Sequence, residues 1–282
     1  MVIAETIEEI RRTVAAARKE GKSVGLVPTM GALHEGHVGL FKAAAAACDF
    51  VVVSIFVNPA QFGPEEDFAR YPRTPQADLA VCRDNGVHAV FMPAAEEMYP
   101  PGRLTEIVVK KIDANLCGRS RPGHFTGVAT VVAKLFNIVG PDKAFFGAKD
   151  YQQTVVVRRT AADLNSPVEI VVCPTVRHSD GLAVSTRNTY LSPEHRKQAA
   201  ALSVALELAA RLIRRRRPPS EEIVSAMREH LAAYAPEAVI DYIQIVDPQD
   251  LTDVRTTKRA VLVAAAVKFG TTRLIDNVLL GP

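Results

Sequence analysis

Short apolar runs alternate with longer helical stretches along the first 175 residues of the chain. The runs at residues 24–28 and 50–57 are continuously apolar rather than alternating, which is typical of strands in a parallel sheet covered on both faces. An alanine-rich stretch between them, at residues 36–48, predicts a helix. The chain therefore opens with a strand–helix–strand unit.

The same rhythm continues to the middle of the chain. Further strands are predicted at residues 88–92, 107–109, 143–146 and 168–172, and further helices at 76–85, 127–138 and 151–164. Repeated strand–helix units of this kind favour an α/β fold, a doubly wound, Rossmann-like parallel sheet. We expect this domain to span residues 1–175 and to bind its ligands at the carboxyl ends of the strands.

The composition changes after Pro174. A polar loop leads to Ser192 and Pro193, which predict the start of a long helix ending in the arginine run 214–217. A second helix follows, and then strands at 239–246, 260–267 and 272–279, so residues 176–282 are expected to form a smaller α+β domain. The arginine run is typical of a solvated last helical turn. Because no aromatic residue is interleaved with it, nucleic-acid binding is the less favoured interpretation.

Composition and charge narrow the function. The 282 residues are 48% apolar and 23% charged with a net charge of +3, which excludes a disordered chain or a coiled coil and gives no strong reason to expect nucleic acid. The four cysteines are far apart in sequence, so reduced, buried thiols are expected. An acidic N-terminus and the lack of a long apolar run predict no signal peptide, no membrane segment and a cytoplasmic location.

The first candidate site follows the first predicted strand, at residues 27–37. His34 and His37 lie at the mouth of a helix, where imidazoles and free N–H groups can bind a polyphosphate and stabilise its developing charge. Gly36 is expected to let the ligand approach the backbone closely. A zinc site remains open as an alternative, although no third ligand is near in sequence.

Two further segments carry polar side chains suited to a nucleotide. Lys149 can neutralise phosphate, and Asp150 can accept from a ribose hydroxyl or cap the following helix. Ser185, Thr186 and Arg187 form a plausible clamp for pyrophosphate in a loop that closes over the nucleotide, with a surface linker as the alternative. The chain has neither a P-loop nor a G-x-G-x-x-G motif, so these groups would have to hold the phosphates.

Gln61 and Gln153 add neutral amides near predicted strand ends. Such amides can orient a carboxylate and leave it nucleophilic, whereas a bidentate arginine would quench its nucleophilicity. They therefore fit an attacking organic acid.

Six segments, in this order and at these separations, resemble the pantothenate synthetase (pantoate:β-alanine ligase) family: PTMGALHEGH, SIFVNPAQFG, YPRT, SRPGHFTGV, FFGAKDYQQ and LAVSTRN. That family is related to the nucleotidyltransferases and class I aminoacyl-tRNA synthetases. The resemblance implies that ATP and pantoate give a pantoyl adenylate with Mg²⁺, which β-alanine then converts to pantothenate and AMP. It also implies a homodimer.

The resemblance assigns roles to particular residues. His37 would act as the acid, His34 would assist on the phosphates, and Lys149 and Arg187 would stabilise the departing pyrophosphate. The implied ATP site comprises Met30, Gly31, Ala32, Leu33, His34, Glu35, Gly36, His37, Gly147, Ala148, Lys149, Asp150, Val176, Val184, Ser185, Thr186 and Arg187. Gln61 and Gln153 would hold pantoate, Arg121 would be a further substrate contact, and Asp78 would help to place the metal.

Two alternatives remain at this level. A nucleotidyltransferase that joins AMP or CMP to a phosphorylated acceptor would release a product containing the nucleotide. An RNA-binding module using residues 211–217 would lose affinity steeply with salt.

Overall fold

A computed structural model describes residues 1–64 and 66–281 of the chain. Within them, six parallel strands form one sheet: β1 (Val2–Ala4), β2 (Val24–Thr29), β3 (Phe50–Ile55), β4 (Ala89–Phe91), β5 (Lys143–Gly147) and β6 (Glu169–Cys173). The helices of this part are α1 (Ile7–Lys19), α2 (Glu35–Ala47), α3 (Pro75–Asp84), α4 (Ala95–Met98), α5 (Leu116–Ser120), α6 (His124–Val139) and α7 (Tyr151–Asp163). The predicted α/β fold is confirmed.

Alternate residues of the central strands enter two separate cores, which explains why the strands are apolar throughout. Leu26 and Val52 pack on one face with α1 and α6, whereas Val27 and Val53 pack on the other with α2 and α3. Both faces of the sheet are thus covered by helices, as the continuous apolar runs predicted.

The second part of the chain builds an antiparallel sheet of β7 (Ala238–Val246), β8 (Val261–Phe269) and β9 (Thr272–Leu280). Helices α8 (Pro193–Ala199), α9 (Ala201–Arg216) and α10 (Ser220–Tyr234) precede it. Its core is formed by α9, α10 and one face of the sheet, with Leu202, Ile213, Ile223 and Met227 among the fully buried side chains. The small α+β unit is confirmed, and the boundary at residue 175 stays a prediction.

Three local predictions were wrong or incomplete. Residues 107–109 form no strand, because no other strand of the described chain lies beside them, and the Ile107 N–H donates to the Thr130 hydroxyl instead. The long helix after Ser192 is broken at Ala200, whose carbonyl accepts both the amide and the hydroxyl of Ser203 in a tightened turn. The N-terminal strand β1 and helix α1 were not predicted.

Other expectations can be compared with the structure directly. All four cysteines are free and buried. The arginine run lies at the end of α9, where Arg216 pairs with Glu222, and Arg217 donates to the carbonyls of Thr257 and Lys258. No helix among the described residues is both long and apolar enough to cross a membrane.

Candidate functional site

The site lies where the direction of chain winding reverses. The strand order is β1-β4-β3-β2-β5-β6, so the chain builds outward from β2 on one side and from β5 on the other. In open α/β sheets a crevice forms at this switch point, at the carboxyl ends of the two strands. Met30 follows β2 there, and Gly147 ends β5.

The loop after β2 is held from below by a buried carboxylate. The Asp78 side chain, on α3, is 2% exposed and accepts hydrogen bonds from the N–H groups of Ala32 (3.1 Å) and Leu33 (2.8 Å). Gly31 has a φ of +80°, and a Cβ there would lie 2.9 Å from an Asp78 oxygen, so the turn requires glycine. Asp78 thus shapes the loop that leads to the histidines, and its implied metal role stays a prediction.

The two histidines are locked in one tautomer by backbone amides. His34 Nδ1 accepts from the Gly36 N–H (3.1 Å), and His37 Nδ1 accepts from the His34 N–H (3.2 Å), which completes a capping box at the start of α2. This network assigns the ring proton to Nε2 in both imidazoles. The ring centroids are 4.1 Å apart, so the pair presents two adjacent Nε2–H donors.

The electrostatic setting keeps both rings neutral. Burial lowers the pKa of His34 to about 4, with a further contribution from the Lys149 charge. Burial also lowers the pKa of His37 to about 3, assisted by His34 and Lys149. At neutral pH these rings donate hydrogen bonds without carrying charge, which suits them to phosphate oxygens.

The imidazole cap gives a structural reason for glycine at position 36. A Cβ on Gly36 would lie 2.9 Å from His34 Cε1 and 3.0 Å from His34 Nδ1. The capping imidazole therefore requires glycine here, and the expected close approach of a ligand to Gly36, which lines a cavity described below, stays a prediction.

A second turn brings Lys149 to the same crevice. Residues Ala148–Asp150 form a single 3₁₀ turn between β5 and α7. Asp150 precedes α7 but makes no capping hydrogen bond, and its carboxylate lies 3.6 Å from Lys149 Nζ. Of the two roles left open for Asp150, helix capping is not observed, and its carboxylate lines the cavities described below.

The third segment reaches over from the smaller domain. Ser185 Oγ accepts from the Arg187 N–H (3.3 Å), and Asn188 Oδ1 accepts from the Ser185 N–H (2.6 Å), which closes another capping box. The Thr186 hydroxyl donates to the Ala32 carbonyl at 3.4 Å. This loop therefore already contacts the loop after β2.

Two arginines of the site are paired with neighbouring carboxylates. Arg187 contacts Asp67 through Nη2 (2.8 Å) and Nε (3.1 Å), and Arg121 contacts Glu66 through Nε and Nη2, both at 2.6 Å. Burial raises the pKa of Asp67, but the Arg187 ion pair outweighs it and holds that pKa below its ordinary value. An anionic ligand reaching either guanidinium must compete with these carboxylates, which the sequence analysis missed.

A chain of amides and hydroxyls orients Gln61. The Tyr99 hydroxyl donates to Asn58 Oδ1 (2.7 Å), and Asn58 Nδ2 donates to Gln61 Oε1 (3.0 Å). Gln61 is 9% exposed and directs Nε2 toward Met30 Sδ at 3.1 Å. Because its oxygen is held, Gln61 offers its NH₂ group to a ligand.

His124 was also missed, although it lies in one of the quoted segments. Its Nδ1–H donates to the Gln61 carbonyl (2.8 Å), and its Nε2 accepts from Arg121 (2.9 Å). Burial lowers the pKa of His124 to about 4, and the Arg121 charge lowers it further. This neutral ring fixes Arg121 beside the Gln61 backbone.

These groups surround one crevice with two connected parts. An inner cavity of about 230 Å³ meets a cleft of about 1030 Å³ between the two sheets, and Lys149, Asp150, Gln153 and Arg187 line both. The inner cavity is lined by these expected residues: Met30, His34, Gly36, His37, Gln61, Arg121, Gly147, Lys149, Asp150, Gln153, Val176, Val184, Ser185, Thr186 and Arg187. The rest of its lining mixes polar side chains with an apolar patch that includes Val131, Val132 and Leu135.

Some expected residues lie behind the lining. Gly31, Ala32, Leu33, Glu35 and Ala148 do not line either cavity, and Asp78 supports the loop from beneath. The structure thus brings together the imidazoles, the lysine, the arginine and both glutamines. The expected residues that do not line a cavity belong to the loops and turns that carry the lining side chains.

A doubly wound α/β sheet with neutral imidazole donors, a lysine and an arginine at its switch point defines a class of nucleotide-handling enzymes. A family model described as pantoate-beta-alanine ligase matches residues 2–279. The chain belongs to this family.

Individual relatives are similar to this chain over nearly its full length. Pantothenate synthetase from Moorella thermoacetica is 53% identical over 280 residues, which is 99% of each chain. The crystal structure of pantothenate synthetase from Thermus thermophilus superimposes with a TM-score of 0.95 at 46% identity and covers 100% of both chains. A ligase from Francisella tularensis, described as complexed with beta-gamma ATP and beta-alanine, gives a TM-score of 0.80 at 34% identity, with 99% and 97% coverage.

Proposed function

We propose that this chain condenses pantoate with β-alanine at the expense of ATP, through an enzyme-bound pantoyl adenylate. Membership of the pantoate-beta-alanine ligase family supports the condensation, and the Francisella ligase complex supports ATP as a substrate. The observation that supports an adenylate intermediate is the inner cavity, because it is lined both by groups that can donate to phosphate and by the oriented Gln61 amide.

The triphosphate is assigned to the charged end of the crevice. The Nε2–H groups of His34 and His37 and the Lys149 ammonium donate to phosphate oxygens and stabilise the charge that builds on pyrophosphate. Arg187 adds its guanidinium after exchanging Asp67 for phosphate.

Pantoate is assigned to the inner cavity. Its branched carbon skeleton suits the apolar patch of Val131, Val132 and Leu135, and its polar groups accept from the amides of Gln61 and Gln153. An amide orients the carboxylate without a full counter-charge, so the oxygen stays nucleophilic.

The two steps balance as displacement reactions. A pantoate carboxylate oxygen attacks the α-phosphorus of ATP, and the bond to pyrophosphate breaks. The β-alanine amine, after losing a proton, then attacks the acyl carbon, and AMP leaves with the bridging oxygen. Mg²⁺ enters as part of the MgATP substrate, held through phosphate oxygens; no group of three or more metal-ligating side chains occurs in the part of the chain that the structure describes.

Isotope exchange between pyrophosphate and ATP tests the path. Exchange of labelled pyrophosphate into ATP is expected to require pantoate and to proceed without β-alanine, and ¹⁸O from the pantoate carboxylate should appear in AMP. Exchange in the absence of any acid, or a final product that contains the nucleotide, would contradict the adenylate path and favour nucleotidyl transfer.

A homodimer is a further part of the proposal. Residues 103–109 have no regular secondary structure and are apolar at intervals, with Leu104 97% exposed and Val108 56% exposed. Such an uncovered segment supports pairing with a second copy. Sedimentation of a Val108→Lys variant should give a monomer, whereas Val239→Lys, at another exposed apolar position, should leave the dimer intact; a dimeric Val108→Lys chain would oppose this interface.

Four free cysteines support a reducing, cytoplasmic setting, which stays a proposal.

A further inference from the structure

One strand of the smaller domain touches the turn that carries Lys149. The Asn277 side chain, on β9, donates from Nδ2 to the carbonyl oxygens of Ala148 (3.0 Å) and Lys149 (2.8 Å). These carbonyls belong to the 3₁₀ turn between β5 and α7, in the other sheet. Both donors of one amide group are therefore spent on the backbone of the turn, across the domain junction.

The neighbouring residue of β9 anchors the third segment of the site. Asp276 is 3% exposed and accepts from Arg177 Nη1 (2.6 Å) and Nη2 (3.0 Å). Arg177 is bridged to Ala183, so it stands at the base of the hairpin that leads to Arg187. The Asp276 carboxylate also accepts from the Asn277 N–H at 2.8 Å, which fixes the backbone from which Asn277 extends.

Two consecutive residues of β9 thus contact both the turn that carries Lys149 and the hairpin that leads to Arg187, and so fix the positions of these two segments relative to each other. The opposing residues on β8 are Ala264 and Ala265, whose small side chains leave room for these polar ones. The Lys149 side chain is 19% exposed and lines both parts of the crevice, so the position of its ammonium depends on the backbone of the turn. Displacements of about 1 Å at such a group are enough to cost about two orders of magnitude in rate.

We propose that Asn277 is a positioning residue that holds the Ala148–Lys149 turn so that the Lys149 ammonium meets the pyrophosphate part of ATP. This inference rests on the phosphate role of Lys149 in the proposed function. It assigns to the smaller domain a direct part in orienting a group of the larger one. Asn277 itself does not touch the reacting atoms.

Binding of inorganic pyrophosphate, measured by calorimetry, tests the coupling on four proteins: the unchanged chain, Asn277→Ala, Lys149→Ala and the double variant. Loss of the two amide hydrogen bonds should weaken pyrophosphate binding about tenfold in Asn277→Ala. Because Asn277 acts through Lys149, the double variant should bind no more weakly than Lys149→Ala. The variant Asn85→Ala removes a similar side-chain donation, to the Val81 carbonyl at 2.8 Å on the far end of α3, and should bind as the unchanged chain does.

The outcomes separate this inference from the proposed function. If Lys149→Ala weakens binding and Asn277→Ala does not, or if the two losses add in the double variant, the positioning role is wrong while the function stands. If Lys149→Ala itself binds pyrophosphate normally, the phosphate role of Lys149 fails. An Asn277→Asp variant tests whether the N–H donors of the side chain are needed. Because a carboxylate cannot donate to the two carbonyls that it would face, this variant should weaken pyrophosphate binding at least as much as Asn277→Ala does.

Discussion

Asp78 provides the sharpest test of how the site is built, because the same carboxylate was expected to help place a metal. In Asp78→Asn one oxygen remains to accept from Leu33, but the amide nitrogen then faces the Ala32 N–H, which loses its acceptor at 3.1 Å. The side chain is 2% exposed, so water cannot replace the lost acceptor. An unsatisfied buried donor costs about 2 kcal/mol, which shifts the equilibrium constant about thirtyfold away from the loop conformation that presents the histidines.

The assay is the pyrophosphate exchange rate as a function of Mg²⁺ concentration, with urea unfolding measured in parallel. We expect Asp78→Asn to lower the exchange rate by up to about thirtyfold, by the same factor at every Mg²⁺ concentration, with the midpoint of the Mg²⁺ curve unchanged. Asp84→Asn, an exposed carboxylate on the same helix, should match the unchanged chain in both measurements. Full recovery of the Asp78→Asn rate at high Mg²⁺ would refute the positioning role and restore the metal role.

Three further changes address the histidines and the arginine pair. In Gly36→Ala the new Cβ displaces the His34 ring from its cap, so the exchange rate should fall by more than about tenfold while stability falls by only about 1 kcal/mol; normal exchange would show that the cap is dispensable. The folded-state pKa values of His34 and His37, about 4 and about 3, lie below the ordinary 6.5, so the unfolded chain binds more protons and the free energy of unfolding should decrease as the pH falls from 6.5 toward 4. His37→Gln should flatten that dependence in urea titrations at successive pH values, and an unchanged slope would contradict the buried neutral ring. In Asp67→Asn the Arg187 guanidinium loses its competing carboxylate, so the KM for ATP should fall about fivefold, and a higher KM would mean that Asp67 helps rather than competes.

Much of the fold could be predicted because its determinants are local. Continuous apolar runs such as residues 50–57 are buried on both faces, and turn residues such as Gly147 mark the strand ends, so a parallel sheet follows from periodicity, whereas the spatial order of its strands does not. The chemistry-bearing segments were visible for the same reason, since each lies directly after a strand or before a helix. Residues 107–109 show the limit of this reasoning, because an apolar run becomes a strand only if a partner strand lies beside it.

Contacts between distant segments could not be predicted in this way. The orientation of the Gln61 amide depends on Asn58, and Asn58 is in turn oriented by Tyr99, 41 residues away from it in sequence. Such partners leave no periodic signal, since a single hydrogen bond constrains two positions and nothing between them.

The sequence by itself determined the order of the strands and helices and the residue types available for chemistry, because both depend on short-range pattern and composition. Only the tertiary structure decided which of those residues carry the site and which hold it in shape. Asp78 and Gly36 support the first loop and the imidazole cap, and Asn277 reaches the Lys149 turn from 128 residues away. The physical reason is that a charged or polar group acquires its role from the few atoms within about 3 Å of it, and chain folding alone chooses those atoms.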